Sequence, residues 1–124
     1  MTVPYSLAGL NLLVVEDDLL IATSLREVLL QGGADMAEMC ASLAQAQELV
    51  TEIRFDAAIL DLTLPDGDAA SFAETLDTQG VKLVFHTGHS LPDAVQARFP
   101  DALTATKPTA PKDLVYLVAS LFKK

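Results

Sequence analysis

The chain has 124 residues, 51% of them hydrophobic, and carries 8 Lys and Arg against 17 Asp and Glu, for a formal charge of −9. That length suits one domain around one buried core and leaves no room for two. The acidic balance argues against nucleic-acid binding, which needs clustered Lys and Arg against phosphates; here the basic residues are scattered apart from Lys123 and Lys124. No apolar run reaches the ~18 residues of a membrane span and no signal-peptide pattern opens the chain, so the expectation is a cytoplasmic protein without membrane attachment. A single Cys, Cys40, excludes an internal disulfide and is compatible with a reducing cytosol.

Short apolar runs alternate with segments whose apolar residues recur every three or four positions, the pattern of parallel strands crossed by helices. Leu12 to Val15 read as a strand, and Ile21, Leu25, Val28 and Leu29 as a helical stripe ending at Gly32-Gly33, where left-handed backbone is cheap. A weaker second unit places a strand over Met36, Met39 and Ala41, then a helix capped by Ser42 with Leu43, Ala46, Val50 and Ile53 on one face. Ala57 to Leu60 are wholly apolar, as a strand covered on both faces would be, and Pro65-Asp66-Gly67-Asp68 break the run before Ala69, Phe72, Ala73 and Leu76. The fourth unit runs Val81 to Phe85, breaks at Gly88, and continues as a short helix around Ala94, Val95 and Phe99 that Pro100 closes. A fifth strand covers Ala102 to Thr106, and Leu114, Leu117, Val118 and Leu121 stripe the last helix. The expected fold is α/β: a flavodoxin-like (βα)5 doubly wound parallel sheet in the order 2-1-3-4-5, spanning residues 8–124 after an N-terminal extension, 1–7.

Ligands of such sheets bind at the carboxyl ends of the strands where the winding reverses. There the sequence places Glu16, Asp17 and Asp18 after the first strand, Asp61 after the third, Thr87 after the fourth and Lys107 after the fifth. Neighbouring strands lie ~4.8 Å apart, so the acids would share one pocket, raising one another's pKa unless a cation joins them. An oxygen-only donor set suits a hard divalent ion such as Mg²⁺, which points to phosphoryl chemistry with Asp61 as the attacking carboxylate. Lys107, about 10 Å away across two strand spacings, can reach a phosphate oxygen as a point charge, and Thr87 can donate a hydroxyl hydrogen bond. Taken singly, each position has a plainer explanation: Asp17 or Asp18 as a helix N-cap, Asp61 as a turn residue, Thr87 as a loop residue and Lys107 as a solvated lysine. Their joint placement at four strand ends carries the functional argument.

The stretches LLVVEDD, AAILDLTLPDGD, LVFHTG and TKP, in this order and spacing, resemble the receiver domain of bacterial two-component response regulators. The resemblance implies that Asp61 accepts phosphoryl from a sensor histidine kinase or a histidine phosphotransfer protein. It also implies that Glu16, Asp17, Asp61 and the backbone carbonyl of Thr63 hold Mg²⁺, that Thr87 and Lys107 contact the phosphoryl group, and that the Lys107-Pro108 bond is cis. Two positions depart from the family's pattern: Thr104 stands where an aromatic switch residue is usual, and Ala69 where Gly is common. FHTGH is similar to a subgroup of short, stand-alone receivers without that aromatic. The chain ends after the fifth helix, so output is expected through a downstream protein target or phosphoryl relay, via the surface of the fourth helix, fifth strand and fifth helix, from a monomer or weak dimer.

Three rival readings compete with this one. A haloacid-dehalogenase-like phosphatase would want a second Asp two residues after the nucleophile, where Thr63 stands. A flavin module would want a Ser/Thr/Gly-rich phosphate loop where the acids lie. A pseudo-receiver would only dock partners. The pair His86 and His89 lacks the further ligands of a transition-metal site, and His89 is expected at the edge of the phosphoryl pocket.

Overall fold

Residues 6–122 are described by the computed structural model. Most of the expected N-terminal extension, and the Lys123-Lys124 pair, lie outside them. Five parallel strands, β1 (Asn11–Val15), β2 (Met36–Cys40), β3 (Ala57–Asp61), β4 (Lys82–Thr87) and β5 (Leu103–Thr106), form one sheet in the order β2-β1-β3-β4-β5. They alternate with α1 (Leu19–Gln31), α2 (Leu43–Glu52), α3 (Ala69–Thr78), α4 (Asp93–Arg98) and α5 (Pro111–Ser120). This is the expected doubly wound order.

Strand side chains alternate between two cores. Leu13, Val15, Ala58, Leu60, Leu83 and Phe85 pack with α2, α3 and the Phe99 end of α4, whereas Leu12, Val14, Ala57, Ile59, Val84 and Ala105 pack with α1 and α5. β3 is buried at every residue, which accounts for its unbroken apolar run. Phe85 and Phe99 stack tilted, centroids 5.6 Å apart.

Helix starts follow local capping chemistry. Asp18 accepts from the amides of Leu20 and Ile21, Ser42 from Gln45 and Asp68 from Ala70. Asp66 reaches across from the loop after β3 to accept from the Leu43 and Ala44 amides, so α2 carries two caps. In contrast, α4 has no side-chain cap and buries none of its residues.

The structure moves several expected boundaries. Ala41 lies outside β2 because its amide donates to the Gln45 side chain, which ends the ladder at Cys40. β4 starts at Lys82 rather than Val81 and continues past Phe85 through His86 and Thr87; pairing with Asp61 and Thr106 keeps them in the ladder. β5 begins at Leu103 rather than Ala102. Leu117 and Leu121 are only partly buried, and Val115 joins Leu114 and Val118 in the core instead. Of the glycine pair after α1, only Gly33 is left-handed, at φ +102°. Gly32 is needed for space, since a Cβ there would meet Leu7 Cδ1 at 3.0 Å and Val115 Cγ1 at 3.2 Å. Leu7 itself is fully buried and its amide donates to the Gly32 carbonyl, so the packed unit reaches back to it.

Candidate functional site

Glu16, Asp61 and His86 belong to the strand positions that face α1 and α5, each at the carboxyl end of its strand. Register sets them side by side: Val15 pairs with Leu60, and Asp61 with His86. The turn into α1 separates its two aspartates by role. Asp18 is consumed as the N-cap, while Asp17 stays exposed and joins Glu16 and Asp61 in a group whose donor atoms all lie within 4.8 Å of one another.

Lys107 spans the two buried acids. Its Nζ donates to Asp61 Oδ2 at 3.0 Å and lies 2.8 Å from Glu16 Oε1 in an ion pair outside hydrogen-bond geometry. The other oxygen of Asp61, Oδ1, accepts from both the amide and the hydroxyl of Thr63, at 2.9 and 2.7 Å. Glu16 Oε2 accepts from the Asp18 amide at 3.1 Å. The Lys107-Pro108 peptide is cis, and the Lys107 amide donates to the Thr87 carbonyl at 2.7 Å.

These contacts drive the two carboxyls apart. Burial alone would raise Asp61, but the two Thr63 donors and Lys107 outweigh it and hold the group below the usual carboxylate range. Glu16 is raised, because burial exceeds what Lys107 and a single amide return, and the Asp61 charge adds to the rise. Lys107 is raised against the opposing effect of its burial by its two acidic partners, so it remains an ammonium. Asp61 is therefore the more readily ionised acid of the pair, and the ionised form is the one that can act as a nucleophile.

Thr87 is buried at the same sheet edge, and its hydroxyl accepts from the His89 amide at 3.2 Å. His89 itself is exposed. His86 is 3% exposed, and neither ring nitrogen has a hydrogen-bond partner among the described residues. Burial and the nearby Lys107 charge push its pKa down, with Asp61 opposing, which leaves the ring neutral. Two contributors were not visible from spacing alone: the Thr63 hydroxyl and the His86 ring. A Thr two residues after an acid at a strand end is a local hydrogen-bonding signal that could have exposed the first. The burial of His86 depends on strand pairing and had no such signal.

The metal question can be put to the donor set itself. Three carboxylates within 4.8 Å, with no Cys or His among them, fit a hard oxygen-seeking divalent cation.

A parallel (βα)5 sheet with acids at its switch point and a lysine closing the pocket is the arrangement of a receiver-type signalling domain. The family model for the response regulator receiver domain matches residues 12–119, and the chain belongs to that family. Among solved structures it is similar to SdrG from Sphingomonas melonis Fr1, at 32% identity and a TM-score of 0.71, over 92% of this chain and 97% of that one. A CheY-like receiver domain protein from Methanospirillum hungatei JF-1 shares 25% identity with a TM-score of 0.80, over 93% of each chain. The CheY-like receiver domain from Methylobacillus flagellatus, at 24% identity, has a TM-score of 0.78 over 90% of this chain and 98% of that one, a likeness of fold. None of the curated proteins compared matches the chain. No helix among the described residues is long and apolar enough to cross a membrane.

Proposed function

We propose that this receiver is a cytoplasmic phosphoacceptor: Asp61 takes a phosphoryl group from a phosphohistidine on a sensor histidine kinase or histidine phosphotransfer protein. An Asp61 oxygen forms the new O–P bond, the P–N bond to the donor imidazole breaks, and the imidazole leaves with its electron pair. The observation that carries this reading is the state of Asp61, a buried carboxylate kept ionised by Thr63 and Lys107 beside a metal-competent acid group. Glu16, Asp17, Asp61 and the Thr63 carbonyl would hold Mg²⁺, which when bound supplies positive charge against the phosphoryl oxygens. Lys107 moves its ammonium to the transferred group, and the Thr87 hydroxyl turns from the His89 amide to donate to it.

Thr63 offers a hydroxyl where a turnover phosphatase would place a carboxylic acid, and that hydroxyl is engaged with the nucleophile. This favours a phosphorylated signalling state over hydrolysis of external esters. The output surface lies around α4, β5 and α5. The supporting observation is α4, which spans only six residues, buries none and lacks a side-chain cap.

Incubation with a small phosphodonor and Mg²⁺ is expected to add the mass of one phosphoryl group to the intact protein. Asp61→Asn or a chelator should abolish the addition. Modification that persists in Asp61→Asn would overturn the assignment, and a wild type that stays unmodified would favour a docking pseudo-receiver.

A further inference from the structure

Two buried polar groups near the acid cluster face each other without a hydrogen bond. Glu16 Oε1 and His86 Nδ1 are 3.9 Å apart, their side chains 2% and 4% exposed, and neither atom has a hydrogen-bond partner among the described residues. The far nitrogen of the ring, Nε2, is also unpartnered. Such groups normally find partners, because each unsatisfied atom in a protein interior costs roughly 1–3 kcal/mol. What balances Glu16 Oε1 at present is the Lys107 ammonium, which also serves Asp61. Lys107 is the more exposed party, with 23% of its side chain open to solvent against 2% for Glu16.

The imidazole is not packed on every side. It lines a cavity of about 310 Å³ between the start of α1, at Leu20, Ile21 and Ser24, and the loop after β5, at Pro108 and Thr109. A shift of about 1 Å brings Nδ1 within hydrogen-bond distance of Glu16 Oε1. Phosphoryl transfer replaces the single charge of the Asp61 carboxylate with about −1.5 to −2 on the phosphoryl oxygens, farther out on the other side of Lys107, and draws the ammonium away from Glu16. Glu16 would then be a metal-site carboxylate without its lysine partner, and carboxylates in that role are ordinarily held by a second hydrogen-bonded group.

We propose that His86 is the positioning residue that takes over Glu16 when Lys107 leaves it: the neutral ring donates Nδ1–H to Glu16 Oε1 in the phosphorylated state and keeps that carboxylate aimed at the metal site. The inference rests on the phosphoacceptor reading of Asp61. It gives a role to a histidine whose place behind the acids a merely structural side chain would fill more cheaply with carbon.

The test uses the full chain labelled with ¹⁵N at its two histidines, before and after addition of Mg²⁺ and beryllium fluoride, a mimic of the phosphoryl group. Long-range ¹H–¹⁵N spectra are expected to show the His86 ring as the Nδ1–H tautomer, with a hydrogen-bonded, slowly exchanging Nδ1 proton appearing only in the mimic-bound state. A ring whose Nδ1 stays unprotonated or unbonded while ¹⁹F signals confirm bound mimic would overturn the proposal and leave the phosphoacceptor reading standing. Absence of bound mimic would instead remove that reading, and this inference with it. In parallel, His86→Ala should slow phosphorylation by a small phosphodonor about tenfold at saturating Mg²⁺. His86→Asn, whose side-chain amide can occupy the place of Nδ1–H, should restore most of the rate. Equal rates in wild type and His86→Ala, or an Asn variant as slow as Ala with a native amide spectrum, would refute the donor role.

Discussion

With its ammonium 2.8 Å from Glu16 and 3.0 Å from Asp61, Lys107 neutralises two carboxylates that would otherwise repel each other in a largely buried pocket. A divalent cation would occupy the same electrostatic position, so ammonium and metal compete for these oxygens. Lys107→Ala is expected to destabilise the metal-free protein by roughly 2 kcal/mol, below the range for fully buried pairs because the lysine is partly solvated. Mg²⁺ should recover more stability in the variant than in the wild type, measured by urea unfolding with and without the ion. Equal recovery in both would show that the two cations do not share a site. Of the groups in the pocket, the acids, the threonine at the fourth strand end and the lysine were legible in the sequence, because each stands at or just past the end of a strand-like segment. Which of Asp17 and Asp18 caps the helix was not legible, since both suit an N-cap and only the backbone path into α1 assigns the role to Asp18.

Helix α2 owes its start to residues from two separate parts of the chain. Ser42 caps it locally, and Asp66, from the same loop that carries Thr63, accepts from the Leu43 and Ala44 amides at 3.0 and 3.1 Å. These amides favour the charged carboxylate and hold Asp66 below its ordinary value of 3.8. Because the folded-state pKa is the depressed one, the stabilisation is present above the unfolded value and fades as pH falls through the folded value. A melting comparison of wild type with Asp66→Asn should therefore show a gap at neutral pH that closes on acidification below about 3.8. A gap that persists unchanged in acid would mean the charge contributes nothing. The same region shows why element edges were harder to read than element identities. β1 and β3 are unbroken apolar runs, but the end of β2 depends on a Gln45 side chain three residues beyond the cap position. The end of β4 depends on partners in β3 and β5 that no local pattern reveals.

Across the domain, the helices are unequally anchored. α1, α3 and α5 bury stripes against the sheet, while α4 buries none of its residues fully and meets the core through Val95 and the Phe99 ring beyond its last turn, with an exposed Arg98–Glu74 ion pair to α3. Thr104, opposite Phe85 in the register, is exposed rather than covered, so phosphorylation would have to be transmitted without a large ring at that position. The least anchored segment is where a charge added at Asp61 should be felt most. Amide NMR shifts in residues 88–106 are expected to move on addition of Mg²⁺ and beryllium fluoride, well beyond those of α2. Unchanged shifts there would place the output surface elsewhere. The number of strands and the polar residues at four strand ends followed from amino-acid order, because periodicity and capping act within a few residues of the chain; the winding followed from the common handedness of parallel crossovers. The meeting of Lys107 with an acid 46 positions earlier, the burial of His86 and the inclusion of Leu7 in the core were decided by strand register and helix packing. Those distances are set between elements, by side chains that become neighbours only when the sheet closes.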